Sequence, residues 1–335
     1  MVTKAMLESI KQNRFESVGF IDKSLHQMIS GSDLLCFNFE GVITSKISHR
    51  EKILPSYFNF SASPEFIHFI KSLHPDPVIS LANNHSLDFD LDGLVEMMNL
   101  FTQSGIGYVG AGQTKEGATQ PVVRSVGSLQ LAILAYTDLL PPQYYAQTNR
   151  LGVAALTPRN LSDGIALARL QADVVVVSLH TIRNILAPFS FLPDTHQVYY
   201  SRLAIDCGAD IVFGHQPSGL QHYARYRNGL IFYSLGAFLY DPAIGKYFPK
   251  GHKFYDGIQV FGGALAEFKV CNHGFYTIEI VPTKVIADEN GILHLTYDTQ
   301  RIAMLKMTNW MGHLILEKLP SRFLEHHYLR KLFSP

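Results

Sequence analysis

The chain has 335 residues, 47% of them apolar, and equal numbers of basic and acidic residues, 28 each. That length suits one large domain, or one domain with an appendage, around a sizeable core. The zero formal charge gives no electrostatic case for nucleic acid or for an acidic membrane face.

The opening stretch, 1–14, mixes lysine, glutamate and asparagine and lacks the apolar core of a signal peptide. The longest apolar runs, 129–136 and 174–179, are too short to span a bilayer. A soluble, cytoplasmic chain without a membrane span is therefore expected. The three dispersed cysteines, Cys36, Cys207 and Cys271, are expected to be buried free thiols. Fifteen histidines are a weak pointer to metal or acid–base chemistry.

In chain order, the run 34–38 predicts a buried strand. Ser63 is placed to cap a helix with Pro64 in its first turn, running to about Leu73. A strand at 78–81 and an amphipathic helix at 92–103 follow, the helix stopped by Ser104-Gly105. Then come a strand at 129–136, a helix at 161–171, a strand at 174–179 and a helix at 195–207 that ends before Gly208. Strands at 210–213 and 230–233 close the series. This alternation predicts an α/β domain with parallel pairing.

The pattern changes after Asp241. Residues 245–263 read as loop, and 264–270 with 277–281 as an antiparallel pair around Asn272-His273-Gly274. A strand at 292–296 precedes a helical stretch that begins at Arg301. Residues 321–333 set Leu324, Tyr328, Leu329 and Leu332 on one side, for packing on the domain itself, for docking, or for a membrane surface.

Polar clusters stand where strands end, which is where open α/β sheets hold ligands. They are Asn38-Phe39-Glu40-Gly41, Ala82-Asn83-Asn84-His85, Ser178-Leu179-His180 and Gly214-His215-Gln216-Pro217-Ser218. Ser234-Leu235-Gly236-Ala237-Phe238 is a fifth. Singly, each has a plain structural explanation: a turn, a helix cap, a hydrogen-bonded histidine, a surface carboxylate. Together, Glu40, Asn84, His180 and His215 are too far apart for any local packing rule to link them. Carboxylate, amide and imidazole are ligand types for Zn, Mn or Fe.

Two further stretches carry a family resemblance. Ser80-Leu81-Ala82-Asn83-Asn84-His85 with Asp88, Ser104-Gly105-Ile106 and Tyr108-Val109-Gly110-Ala111-Gly112 resembles the CapA family of poly-γ-glutamate capsule synthesis. So does Gly208-Ala209-Asp210-Ile211-Val212-Phe213-Gly214-His215 with Gln221 and Ile231-Phe232-Tyr233-Ser234-Leu235-Gly236. The resemblance spans roughly residues 20–282. It implies a metallophosphatase-like (calcineurin-like) α-β-β-α sandwich over 1–285, with a strand and helical extension over 286–335. It also implies a bridging carboxylate at Glu40, an asparagine ligand at Asn84, and histidine ligands at His180 and His215. His85 becomes the catalytic acid, and Asp88 either orients it or caps the next helix. Asn38, Asn83, Gln216 and Ser218 are the candidate substrate-binding residues.

The chain departs from the family pattern in one direction. The family's opening strand ends in Gly-Asp, and the nearest aspartate here, Asp22, is a poor substitute. Ser218 stands for a histidine, Thr181-Ile182 for Trp-Gly, and Ala237 for an asparagine. The losses fall on one of two metal positions, so a single divalent ion is expected. A metal-dependent hydrolase or transferase acting on an amide, ester or phosphoester, possibly glutamyl-type, is the leading expectation. The others are a non-catalytic component of a polymer-synthesis complex and an anion-binding module. The expected partner is a small molecule or an anionic polymer.

Overall fold

Apolar runs without polar alternation become strands buried on both faces. The computed structural model describes residues 20–46, 59–183, 192–217, 219–239, 263–271, 274–287 and 293–298, together with Ile10. Its first half contains α1 (Lys23–Ser30), β1 (Leu35–Asn38), β2 (Val42–Ile43), β3 (Ser61–Ala62), α2 (Phe66–Leu73) and β4 (Pro77–Ser80). It continues with α3 (Asp90–Gln103), β5 (Gly107–Val109), β6 (Ala111–Gly112), α4 (Lys115–Thr119), β7 (Val122–Val126) and β8 (Leu129–Thr137). Next come β9 (Gly152–Val153), α5 (Pro158–Arg169), β10 (Val174–His180), α6 (Thr195–Asp206) and β11 (Ile211–His215). The described chain closes with β12 (Tyr223–Tyr226), β13 (Gly229–Phe232), β14 (Gly263–Cys271), β15 (Gly274–Ala287) and β16 (Leu293–Tyr297).

Two sheets make the body. One is parallel, in the order β1-β4-β5. The other runs β12-β13-β11-β10-β8-β7, parallel through its middle and antiparallel at both edges. Alternate residues of the larger sheet enter separate cores, as the period of two requires. Ile133, Val176, Ile211 and Phe232 join the core of the smaller sheet, which also takes Leu25 and Ile29 of α1, Phe69 of α2 and Met97 of α3. Leu134, Val175, Val177 and Ile231 face Leu161 and Ile165 of α5 and Val198 and Ala204 of α6. The layers therefore run α-β-β-α, as expected.

The third sheet is antiparallel, β14-β15-β16, and includes the expected hairpin. It is tied back to the body. Leu295 of β16 donates its N–H to the Phe20 carbonyl and accepts one from Asp22, each at 2.8 Å. The Ala264 N–H donates to the Leu235 carbonyl at 2.8 Å. Of the loop expected at 245–263, Gly263 instead opens β14, and the remainder, like the helical stretches from Arg301 and over 321–333, lies outside the described residues. Among the described residues, no helix is long and apolar enough to cross a membrane.

Several helix starts differ from expectation. The helix after Ser63 begins only at Phe66, whose N–H donates at 2.9 Å to the Ser63 backbone carbonyl, and no side chain caps it. The next helix starts at Asp90, two residues earlier than expected. α5 starts at Pro158 with the Thr157 hydroxyl as its cap. At α6, Asp194 and Gln197 form a reciprocal capping box. Asp22 is the N-cap of α1, accepting from Ser24 N at 3.0 Å and Ser24 Oγ at 2.6 Å, so this carboxylate is committed to a helix end. Cys36 and Cys207 are free thiols, and burial pushes Cys36 up to about 12.

One glycine is fixed by contact. A Cβ on Gly214 would lie 2.0 Å from the Tyr233 carbonyl oxygen, because β11 and the end of β13 close tightly there. Gly214→Ala should therefore lower stability by about 1–3 kcal/mol through overpacking. Chemical denaturation of the two proteins measures it, and equal midpoints would refute the tight closure.

Candidate functional site

Strand registers bring the polar clusters together. β10 and β11 are parallel with His180 directly beside His215, and β8 places Thr137 on the other side of His180. In the smaller sheet Asn38 lies beside Ser80, so the chain beyond each strand, carrying Glu40 and Asn83-Asn84-His85, emerges at the same end.

The Asn83-Asn84-His85 turn is held from inside. Asn83 is fully buried. Its amide nitrogen donates to the Phe39 carbonyl at 2.8 Å and to Asn38 Oδ1 at 3.1 Å. Its amide oxygen accepts from the His85 N–H and from Ser86 Oγ, both at 3.0 Å. Asn83 thus staples the turn to the end of β1. Gly110 lets the neighbouring strand pass: its φ is +86°, and a Cβ there would lie 2.6 Å from the Ala82 Cβ.

His85 is oriented from behind. Asp88 Oδ2 stands 2.8 Å from His85 Nδ1 and also accepts the Phe60 N–H at 2.6 Å. Of the two places expected for Asp88, the structure gives the one behind His85, and the following helix starts beyond it at Asp90. The Phe60 ring covers the imidazole with centroids 4.2 Å apart. The outer nitrogen, Nε2, stands 3.7 Å from Glu40 Oε1.

His180 is the centre of the cluster. It is fully buried, and Thr137 Oγ1 donates to its carbonyl at 2.7 Å. Its Nε2 stands 2.8 Å from Asn84 Oδ1, 2.6 Å from Gln216 Oε1 and 3.9 Å from Glu40 Oε1. Burial lowers its pKa against the opposing pull of Glu40. The His215 ring stacks against it at 6.3 Å, and burial, aided by His180, pushes His215 down to about 3. Both imidazoles are neutral near pH 7, the form that ligates metals. Gln216 reaches the cluster from a backbone φ of 98°, a strained value for a side-chain-bearing residue.

His180 therefore meets Asn84 and Gln216 and approaches Glu40, which in turn approaches His85, with His215 alongside. Ser218 lies outside the described residues. Among the described residues, no group of three or more histidine, cysteine, aspartate or glutamate side chains is arranged to hold a metal ion. The donors here are mixed. Two amide oxygens and a carboxylate surround a ring nitrogen that carries at most one proton. Carboxylate, amide oxygen and imidazole are ligand types that a divalent cation accepts.

A neighbouring network was not foreseen. Asp138, just past β8, accepts from Thr181 Oγ1 at 2.6 Å, pairs with His196 Nε2 at 2.7 Å and accepts from Arg183 Nη2 at 2.9 Å. It pins the chain leaving His180. An aspartate after a strand, with histidine and arginine far away in sequence, gives no local signal of such pairing. Burial drives the Asp138 carboxyl up, but the His196 hydrogen bond and charge, Thr181 and Arg183 outweigh it, and the net shift is downward.

The class defined by this α-β-β-α sandwich, with its Asn-Asn-His turn and paired strand-end histidines, is metallophosphatase-like. Within it, the chain belongs to the bacterial capsule synthesis protein family PGA_cap, whose sequence profile matches residues 1–242. It is 25% identical over 307 residues to the "Capsule biosynthesis protein CapA" of Bacillus anthracis, covering 87% of this chain and 70% of that one. It is 28% identical over 211 residues to the "PGA biosynthesis protein CapA" of Bacillus subtilis (strain 168), covering 63% of this chain and 54% of that one. Among solved structures, the sulfate thiohydrolase SoxB of Thermus thermophilus superposes with a TM-score of 0.41 at 14% identity, over 72% of this chain and 38% of that one. The Haemophilus influenzae NAD nucleotidase NadN gives 0.40 at 10% identity, over 80% and 47%.

The Asp138 network yields a stability prediction with a definite sign. Its folded pKa is depressed, so its contribution is present above the ordinary carboxylate value and is lost as pH falls through the folded value. Asp138→Asn should cost about 1–3 kcal/mol at neutral pH and should lose less than the wild type on acidification. Denaturation curves at neutral and acid pH check both points; an unchanged neutral stability would remove the network's role.

Proposed function

We propose that this capsule-synthesis-family chain is a metal-dependent hydrolase or transferase acting on an amide, ester or phosphoester. A single divalent ion, Zn, Mn or Fe, would be held by Glu40, Asn84, His180 and His215. The observation that carries this reading is the convergence of Asn84, Gln216 and Glu40 oxygens on His180 Nε2. A cation bound there supplies Lewis acidity, activating water and polarising a carbonyl or phosphoryl oxygen.

His85 would donate a proton to the leaving group from Nε2. Asp88 fixes the ring by its Nδ1, which leaves Nε2 on the side of Glu40. Asn38 and Asn83 hold the turn, and Gln216 either completes the ion's shell or contacts substrate. The capsule and PGA biosynthesis named for the Bacillus relatives supports a glutamyl-type amide as the substrate class.

A second reading is a non-catalytic member of a capsule-polymer assembly. It is favoured by the missing Gly-Asp aspartate and by Ser218 in place of the final histidine, which leave one metal position's ligands incomplete.

Metal analysis of the purified protein should give about one equivalent, reduced in Glu40→Gln. Two equivalents would overturn the single-ion reading. With γ-glutamyl-p-nitroanilide and p-nitrophenyl esters as probes, His85→Ala should keep its metal and lose turnover by about 10²–10⁴-fold. Turnover that never exceeds that of this variant assigns the chain to the non-catalytic reading.

A further inference from the structure

A cavity of ≈ 210 Å³ opens between the two sheets, directly behind the polar cluster. At one end it is lined by Glu40, His215 and Gln216. At the other it is lined by Ile29 of α1 and by Phe69, Ile70 and Leu73 of α2. Ile133 and Val176, paired neighbours in the larger sheet, form one wall. Val176 precedes His180 by four residues in a strand, so the cavity reaches back roughly 13 Å from the cluster. Apolar cavities of about 150 Å³ already stay dry and take up small hydrocarbons.

Two polar groups interrupt this lining. Ser80 of β4 and Ser178 of β10 both line the cavity, and both are more than nine-tenths buried. Neither hydroxyl has a hydrogen-bond partner among the described residues. Leaving a buried hydroxyl without a partner is costly, so this pair marks a place for a polar group of a ligand. β1 adds a third feature. Leu35, Cys36, Phe37, Asn38 and Phe39 line the cavity consecutively, so it runs along the edge of β1 that no described strand pairs. Backbone N–H and C=O groups face the cavity from that edge.

We propose that this cavity is the binding site for the medium-length acyl chain of an amphiphilic ligand. The tail lies against α1 and α2. The amide or ester group lies among Ser80, Ser178 and the β1 edge. The head group reaches Glu40 and Gln216. The binding claim stands on the cavity itself. It makes no use of the hydrolase reading above.

Calorimetric titration of the whole protein with N-octanoyl-glycine and N-acetyl-glycine tests this. The octanoyl compound should bind one to one, at least tenfold more tightly than the acetyl compound. Val176→Phe and, at the cavity's β14 wall, Ala266→Phe should each weaken it at least tenfold, and Ser178→Val severalfold. Two filling variants on different strands guard against one failing to fold. Affinity independent of chain length, or unchanged in both folded filling variants, overturns the proposal. So does displacement by an extended apolar peptide that protects the Cys36 and Asn38 amides from hydrogen exchange, which would assign the slot to a polypeptide strand. The same titration on His85→Ala separates the two claims: tight octanoyl binding there with no hydrolysis in the wild type leaves the site standing and removes the enzyme.

Discussion

Register is the constraint on which the polar end of this molecule depends. In a parallel pair a slip of one residue sends every side chain to the opposite face of the sheet. With every residue of β10 buried, Val176 and Val177 belong to different cores, and the pairing is fixed from both sides. His180 then falls beside His215 and Thr137 as a consequence. The same holds in the smaller sheet, where pairing Asn38 with Ser80 sets Glu40 and the Asn-Asn-His turn at the same end. Two independent hydrophobic registers thus place four distant residues together, and no direct bond among those residues is needed to assemble them.

The parts of the fold that are legible in the sequence are those governed by burial. The runs that became β8, β10, β11 and β13 are apolar because helices or a second sheet cover both their faces. What escaped was decided at edges and ends. β7 is an edge strand whose residues are mostly half-buried, so its pattern carries little contrast. β2, β3, β6 and β9 have two residues each, too few for any period. Ser63 and Pro64 resemble a helix start, but the chain makes a turn there first, with the Ser63 carbonyl rather than its hydroxyl receiving the helix N–H.

The site divides the same way. Residue type and strand-end position identify Glu40, Asn84, His180 and His215, and the family resemblance gives His85 and Asp88. The division of labour within the turn is invisible from order alone. Asn83 and Asn84 are adjacent amides, yet one is spent entirely on the Phe39 carbonyl, Asn38, His85 and Ser86, while the other faces His180. Gln216 stands among the candidate site residues by its strand-end position, but its contact with His180 is illegible, because that reach depends on a left-handed backbone that no local propensity favours. Asp138 is missed because its partners, at 181, 183 and 196, come from the far side of β10.

The chemistry and the cavity are not separate features of this fold, because β1 builds both. Its edge away from β4 lines the space between the sheets, and the residue that follows Phe39 is Glu40, which faces the two histidines. The Asn83 amide bonds to Asn38 and to the Phe39 carbonyl, so the turn that carries Asn84 and His85 is anchored to the strand that forms the cavity wall. Any ligand that moved β1 by occupying its edge would move the anchor of that turn, and Glu40 with it. The length of chain between wall and cluster is a single residue, too short to absorb such a shift. The wall of the cavity and the anchor of the Asn-Asn-His turn are therefore one and the same strand.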